Sequence, residues 1–175
     1  MKLTDYLQSQ FDTQHRLWDA SLEGLTDDTF NWRPNEERSL SAAFSAWHYV
    51  RTEDNIINFV LQRKPTVWIE KGYDAKFGLD SKAQGTGMPL ADAQAQQIVP
   101  LSEWKAYDRD VWAKTREFMG TLDDDALQGK TVVKPLGEMT VLDAISNMCI
   151  SHGFRHLGEV EYIRGMLGLG SAAGI

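Results

Sequence analysis

A chain of 175 residues, 42% hydrophobic and 25% charged, has the balance of a single globular domain with one sizeable core. Its net charge of −7 leaves it without the basic footprint of a phosphate-binding surface, which argues against nucleic acid as a partner. One cysteine excludes an internal disulfide and fits a cytoplasmic protein; no apolar h-region opens MKLTDYLQSQFDTQH, and no run is apolar enough to span a bilayer, so no membrane partner is expected.

Between Leu3 and Leu25, Tyr6, Leu7, Phe11, Leu17, Trp18 and Leu22 recur mostly three or four residues apart. That spacing predicts a first amphipathic helix ending at Gly24. His15, with Asp12 and Asp19 nearby, reads as a surface residue of it. The segment 25–41 is polar, and Pro34 pushes Arg33 out of helical geometry, so a loop is expected, with Ser39 or Ser41 capping the next helix. The helical period resumes at Phe44, Trp47, Ile56, Phe59 and Val60, predicting a second long helix from Leu40 to about Arg63. On its wheel His48 shares a face with Phe44, Thr52, Asn55 and Phe59, a polar island on an inward side.

Residues 65–90 contain glycines and two prolines and show no sustained period. Trp68, Tyr73, Phe77 and Met88 are nevertheless too bulky for a solvated linker, and long connections inside compact domains are usually functional or disordered. The segment is expected to be a lid or pocket wall over one end of the helices. A short helical piece over 91–98 precedes Pro100, and a third long helix is predicted from Ser102 to about Met119 on Trp104, Tyr107, Val111, Trp112 and Phe118. In the second connection Lys130 to Lys134 is the stretch suited to extended structure; Thr140 caps the last helix, and residues 168–175 are expected to fray. Four long amphipathic segments without long strands predict an all-α four-helix bundle with long connections.

The last helix, 141–167, carries the most informative pattern. Val141, Ile145, Met148, Cys149, His152, His156, Glu159, Ile163 and Met166 fall on one stripe at about 100° per residue. Two imidazoles and a carboxylate in the middle of an apolar stripe require a common partner inside the fold, because buried polar groups are costly when unpaired. His152 and His156 are one turn apart and reach the same point. If the second and last helices are neighbours, His48 faces that pair, and three neutral imidazoles are a usual site for Zn, with Ni, Fe and Cu as further candidates. Glu159 is then a fourth ligand, an acceptor that orients an imidazole, or a catalytic base. Arg51 and Arg155 border the site and, with Trp68, Tyr73 and Phe77 of the 65–90 segment, are candidates for a substrate pocket. Cys149 reads as a small buried hydrophobe. The competing reading is a bundle whose core histidines are merely hydrogen-bonded. A di-metal carboxylate site is excluded, since no glutamate has a histidine three residues later. Walker, dinucleotide and G-x-S-x-G motifs are absent from the sequence.

Trp32-Arg33-Pro34 followed by Ser39-Leu40, a histidine at 48, and His152-x-x-x-His156-x-Gly158 together resemble the DinB/YfiT-like superfamily of small metal-binding four-helix bundles, which includes thiol-dependent S-transferases. The resemblance spans nearly the whole chain and implies that His48, His152 and His156 are metal ligands. Many members carry glutamine where this chain has Glu159. It implies a metal-dependent enzyme acting on a small molecule: either a transferase using a low-molecular-weight thiol, or a hydrolase. The alternative is a metal-binding or small-molecule-binding module without catalysis. The apolar surface suggests a homodimer.

Overall fold

The computed structural model describes residues 1–172. In chain order the helices are α1 (Leu3–Ser21), α2 (Asp27–Asn31), α3 (Ala42–Asp54), α4 (Val67–Glu70), α5 (Tyr73–Phe77), α6 (Leu90–Ala95) and α7 (Leu101–Met119). A hairpin of β1 (Lys130–Val133) and β2 (Gly137–Thr140) follows, then α8 (Val141–Asp143) and α9 (His152–Met166). Two stretches adopt the wider π-helical turn: Asn55–Leu61, which prolongs α3, and Ala144–Ser151, which joins α8 to α9. The result is a four-helix bundle in which α7 and α9 each pack against both α1 and α3. Among the described residues no helix is long and apolar enough to cross a membrane.

Local chemistry accounts for most boundaries. The Ser41 hydroxyl accepts from the Phe44 amide at 3.1 Å and Thr140 accepts from Asp143 at 3.0 Å, each satisfying an amide that the first helical turn leaves open. Thr26 does the same for α2 through the Thr29 amide at 3.2 Å, so the polar loop expected over 25–41 contains a short helix. The extended stretch at 130–134 is one half of an antiparallel hairpin, with Lys130 opposite Thr140 and Val133 opposite Gly137.

The core has two apolar layers with a polar level between them. One layer contains Trp18, Trp47, Val50, Trp104, Trp112 and Leu157; the other contains Phe11, Ile56, Met119, Ile145 and Cys149. On each long helix the chain passes from one layer to the other through a buried polar contact. Glu53 is fully buried; it faces His15 Nε2 at 3.0 Å and accepts from the Tyr49 hydroxyl at 2.5 Å and the Thr115 hydroxyl at 2.6 Å. The Gln14 side-chain oxygen lies 2.9 Å from the same Tyr49 hydroxyl, whose one hydrogen goes to Glu53, and Gln14 donates to the Ile150 carbonyl at 2.6 Å. Burial raises the Glu53 pKa, but the imidazole of His15 and the two hydroxyls outweigh that and hold it below the usual range.

His15 is therefore not on the surface, as its acidic neighbours suggest, but buried under α7. Asp12 and Asp19 reach over it to Arg116 and Arg109 of α7 at 3.1 and 2.9 Å, and Trp112 stacks on its ring at 4.7 Å. The last helix also departs from an ideal wheel. Its fully buried line runs Ile145, Cys149, Gly153, Leu157, Val160 and Ile163, whereas Met166 is exposed and the two histidines lie half-buried beside that line. Over Ala144–Ser151 the wider π turns hold more than 3.6 residues each, which shifts the line away from an ideal wheel before α9 begins. The described part of the expected tail, 168–172, makes contacts back to α9: the Leu169 amide donates to the Arg164 carbonyl at 2.9 Å, and Arg164 donates to the Gly170 carbonyl at 3.0 Å. The remainder of that expected tail, 173–175, lies outside the described residues.

Candidate metal centre

His48 on α3 meets His152 and His156 at the start of α9, which packs directly on α3. The Nε2 atoms of His48 and His152 are 3.1 Å apart, and those of His152 and His156 are 3.0 Å apart. The rings stand edge to face, with interplanar angles of 84° to 87°. All three residues offer a ligand atom within 4.8 Å of the others.

The outer nitrogens set the tautomers. His48 Nδ1 bonds the Gln84 carbonyl, which can only accept, so that nitrogen carries the hydrogen. His156 Nδ1 is 2.8 Å from Glu159 Oε2, which also accepts from the Ser45 hydroxyl at 2.8 Å. Burial raises the Glu159 pKa, but its bonds to His156 and Ser45 more than offset this and keep it an anion able to accept. His48 and His156 thus both aim Nε2 lone pairs at His152. His152 Nδ1 is buried without a partner among the described residues. Burial, followed by the neighbouring rings, lowers the His152 pKa to about 3, and burial also lowers that of His48. Both rings are neutral at pH 7. A single hydrogen on His152 Nε2 cannot satisfy two converging lone pairs. One cation at the convergence point answers all three Nε2 lone pairs. Nitrogens ~2.1 Å from a shared tetrahedral ion lie about 3.4 Å apart, a few tenths of an ångström wider than the spacing here, so a small outward shift of the rings admits the ion.

The sequence profile of the DinB superfamily matches residues 10–160. This chain belongs to the DinB superfamily. Among solved structures it is similar to the crystal structure of a conserved protein of a locus from Enterococcus faecalis, with a TM-score of 0.81 and 19% sequence identity over 96% of this chain and 99% of that one. At that identity the likeness establishes the shared fold. No curated protein matches the chain significantly.

The other residues of the DinB chain singled out from sequence are distributed differently from expectation. Trp68, Tyr73 and Phe77 do not wall the histidine site. They dock on α7: Trp68 is fully buried, with Phe77 stacked at 5.7 Å and Tyr107 edge-on at 5.0 Å, and the Tyr73 hydroxyl donates to Asp110 at 2.8 Å. Arg51 is also buried. Its guanidinium lies 4.9 Å from the Trp68 ring, pairs with Asp54 at 3.4 Å and donates to the Ala83 and Ser81 carbonyls, each at 3.2 Å. These contacts leave it no freedom to bind a substrate at the histidines. Arg155 is exposed and close enough to disfavour protonation of both His48 and His152. Cys149 is fully buried, which raises its thiol pKa well above the ordinary value.

The part of the 65–90 segment that does reach the site is the turn around Gln84 and Gly85. Gly85 has φ +88°, and a Cβ there would lie 2.8 Å from His48 Nδ1 and 3.1 Å from Trp47. Only glycine lets the backbone come this close to the ring. Ser45 and the Gln84 carbonyl are the partners that sequence reasoning missed. Ser45 precedes His48 by three residues on the same helix face, a detectable signal. A backbone carbonyl leaves no trace in residue identity, although glycines at 85 and 87 mark a place of tight approach.

Proposed function

We propose that this DinB protein holds a divalent transition ion on His48, His152 and His156 and is a metal-dependent enzyme acting on a small molecule, of thiol S-transferase or hydrolase type. The observation that carries the reading is the convergence of three Nε2 atoms, two from rings whose Nδ1 hydrogens are already committed. A bound ion with an open position supplies Lewis acidity that favours loss of a proton from a thiol or water. Zinc, nickel and iron all suit the donor set. The chain's own contribution is positional. Gln84 and Glu159 fix the His48 and His156 rings from behind, and Ser45 fixes Glu159. Arg155, exposed on the same helix, is the cation placed to receive an anionic part of the substrate. The carboxylate of Glu159 serves as a positioning group while it is bonded to His156.

The test is elemental analysis of protein purified without a histidine tag, followed by assays of the loaded protein with thiol and electrophile pairs and with simple esters and amides. About one ion per chain and turnover in one assay class are expected. Absence of metal after reconstitution overturns the centre. Stoichiometric metal without turnover in any class overturns the enzyme reading and leaves the binding module.

Gly85→Ala tests the outer support separately. Its Cβ displaces the turn from His48 and breaks the Gln84 bond, so metal affinity is expected to fall about 10- to 100-fold, the usual cost of losing an outer partner. A competition titration against a chelator measures this. Unchanged affinity shows that the turn is not needed to hold the ring.

A further inference from the structure

A cavity of about 580 Å³ opens beside the π-helical end of α3, away from the histidine cluster. His48 directs Nε2 to the other histidines and Nδ1 to Gln84, while Ser81 and Lys82 of the same turn line this cavity. None of the three histidines, nor Ser45, Gln84 or Glu159, lines the cavity. Its size is that of small-molecule sites in general.

The lining has a two-part chemistry. Phe59, Pro65 and Ile69 supply apolar surface, and Phe59 and Ile69, both on this lining, are 53% and 50% exposed. Arg63, Lys64 and Lys82 supply positive charge, and none of them has an ion-pair partner among the described residues. No carboxylate lines the cavity, although the chain as a whole has a net charge of −7. Thr66, 6% exposed, also borders the cavity. Arg63 also adopts φ +59°, a left-handed conformation rare for a residue with a side chain. The wall is built rather than incidental: Arg51 ties the carbonyls of Ser81 and Ala83 to α3 and closes that side.

We infer that this cavity is a binding site for a small amphipathic anion, a carboxylate on a flat apolar body, separate from the metal centre. The apolar body lies against Phe59 and Ile69, and the carboxylate is held by Arg63 and Lys82. A phosphate with no apolar part would leave Phe59 and Ile69 uncovered, and a neutral apolar molecule would leave the cations unanswered.

The test uses 2-naphthoate and its uncharged amide as probes in calorimetric titrations of the whole chain. They are run with and without a chelator, so that the result does not depend on whether the histidines hold metal. One naphthoate site per chain is expected, with the amide and the Arg63→Gln/Lys82→Gln variant each weaker by about tenfold or more. Phe59→Ser weakens both probes. Both substituted surfaces are exposed, and thermal melts confirm that the variants stay folded. Equal binding of naphthoate and amide, or unchanged naphthoate affinity in the double variant, overturns the proposal. So does the absence of naphthoate binding to the folded wild type.

Discussion

His152→Ala is expected to remove stoichiometric metal binding while leaving the bundle folded. His152 is the shared member of both short contacts, at 3.1 Å to His48 and 3.0 Å to His156, so its loss leaves two nitrogens with no common third donor. Affinity should drop by more than about 100-fold, beyond the loss typical of an outer partner. The fold survives because the residue is half-buried beside the apolar line of α9, and Gly153, Leu157, Val160 and Ile163 remain in the core. Elemental analysis and far-ultraviolet circular dichroism check the two halves of the expectation. Full metal content in the variant would show that the ion sits elsewhere. Loss of helicity would show that the cluster is a structural support.

Glu53→Ala should be among the most destabilising single changes in the chain. The carboxylate answers His15, Tyr49 and Thr115 at the level between the two apolar layers, and truncation leaves all three without it in a site closed to water. Breaking a buried, hydrogen-bonded pair of this kind costs about 3–5 kcal/mol. For a domain of this size that corresponds to a melting temperature lower by roughly 6–20 °C. The pH dependence comes from the lowered pKa. A carboxyl whose folded value is below its unfolded one, near 4.5, adds stability that is complete above 4.5 and lost as pH falls through the folded value. Wild-type protein should therefore lose more stability between pH 6 and pH 3 than Glu53→Gln does. Parallel acid curves for the two would mean that Glu53 is not held as an anion in the fold.

The bundle was legible in the sequence because apolar residues recurring every three or four positions, sustained over several turns, are the mark of a helix with one buried face, and α1, α3, α7 and α9 all carry that recurrence. The histidines were legible because polar groups on such a face demand a partner. What stayed hidden depended on contacts between distant segments. The acids flanking His15 signal solvent when read locally, yet they serve as a rim bridging to arginines of α7 that lie 90 and 104 residues further on. Trp68, Tyr73 and Phe77 have the composition of a pocket wall and equally that of a plug for the core, and only the position of Trp104 and Tyr107 decides for the plug. Composition likewise did not show that Arg51 is consumed in pinning a turn.

The widened turns beside the histidines make ligand placement a matter of residue count. Over Ala144–Ser151 the backbone accommodates more residues per turn than an ordinary helix would. If the same residues closed into an ordinary ladder, each would advance by about 100° around the axis, more than in the widened turns, and everything after them would rotate. Positions 152 and 156 would then leave the meeting point with His48 together. A stretch that supplies no donor of its own thus sets the angular phase of two donors, and alignments of related chains across 144–151 should be anchored on the histidines rather than on the helix start.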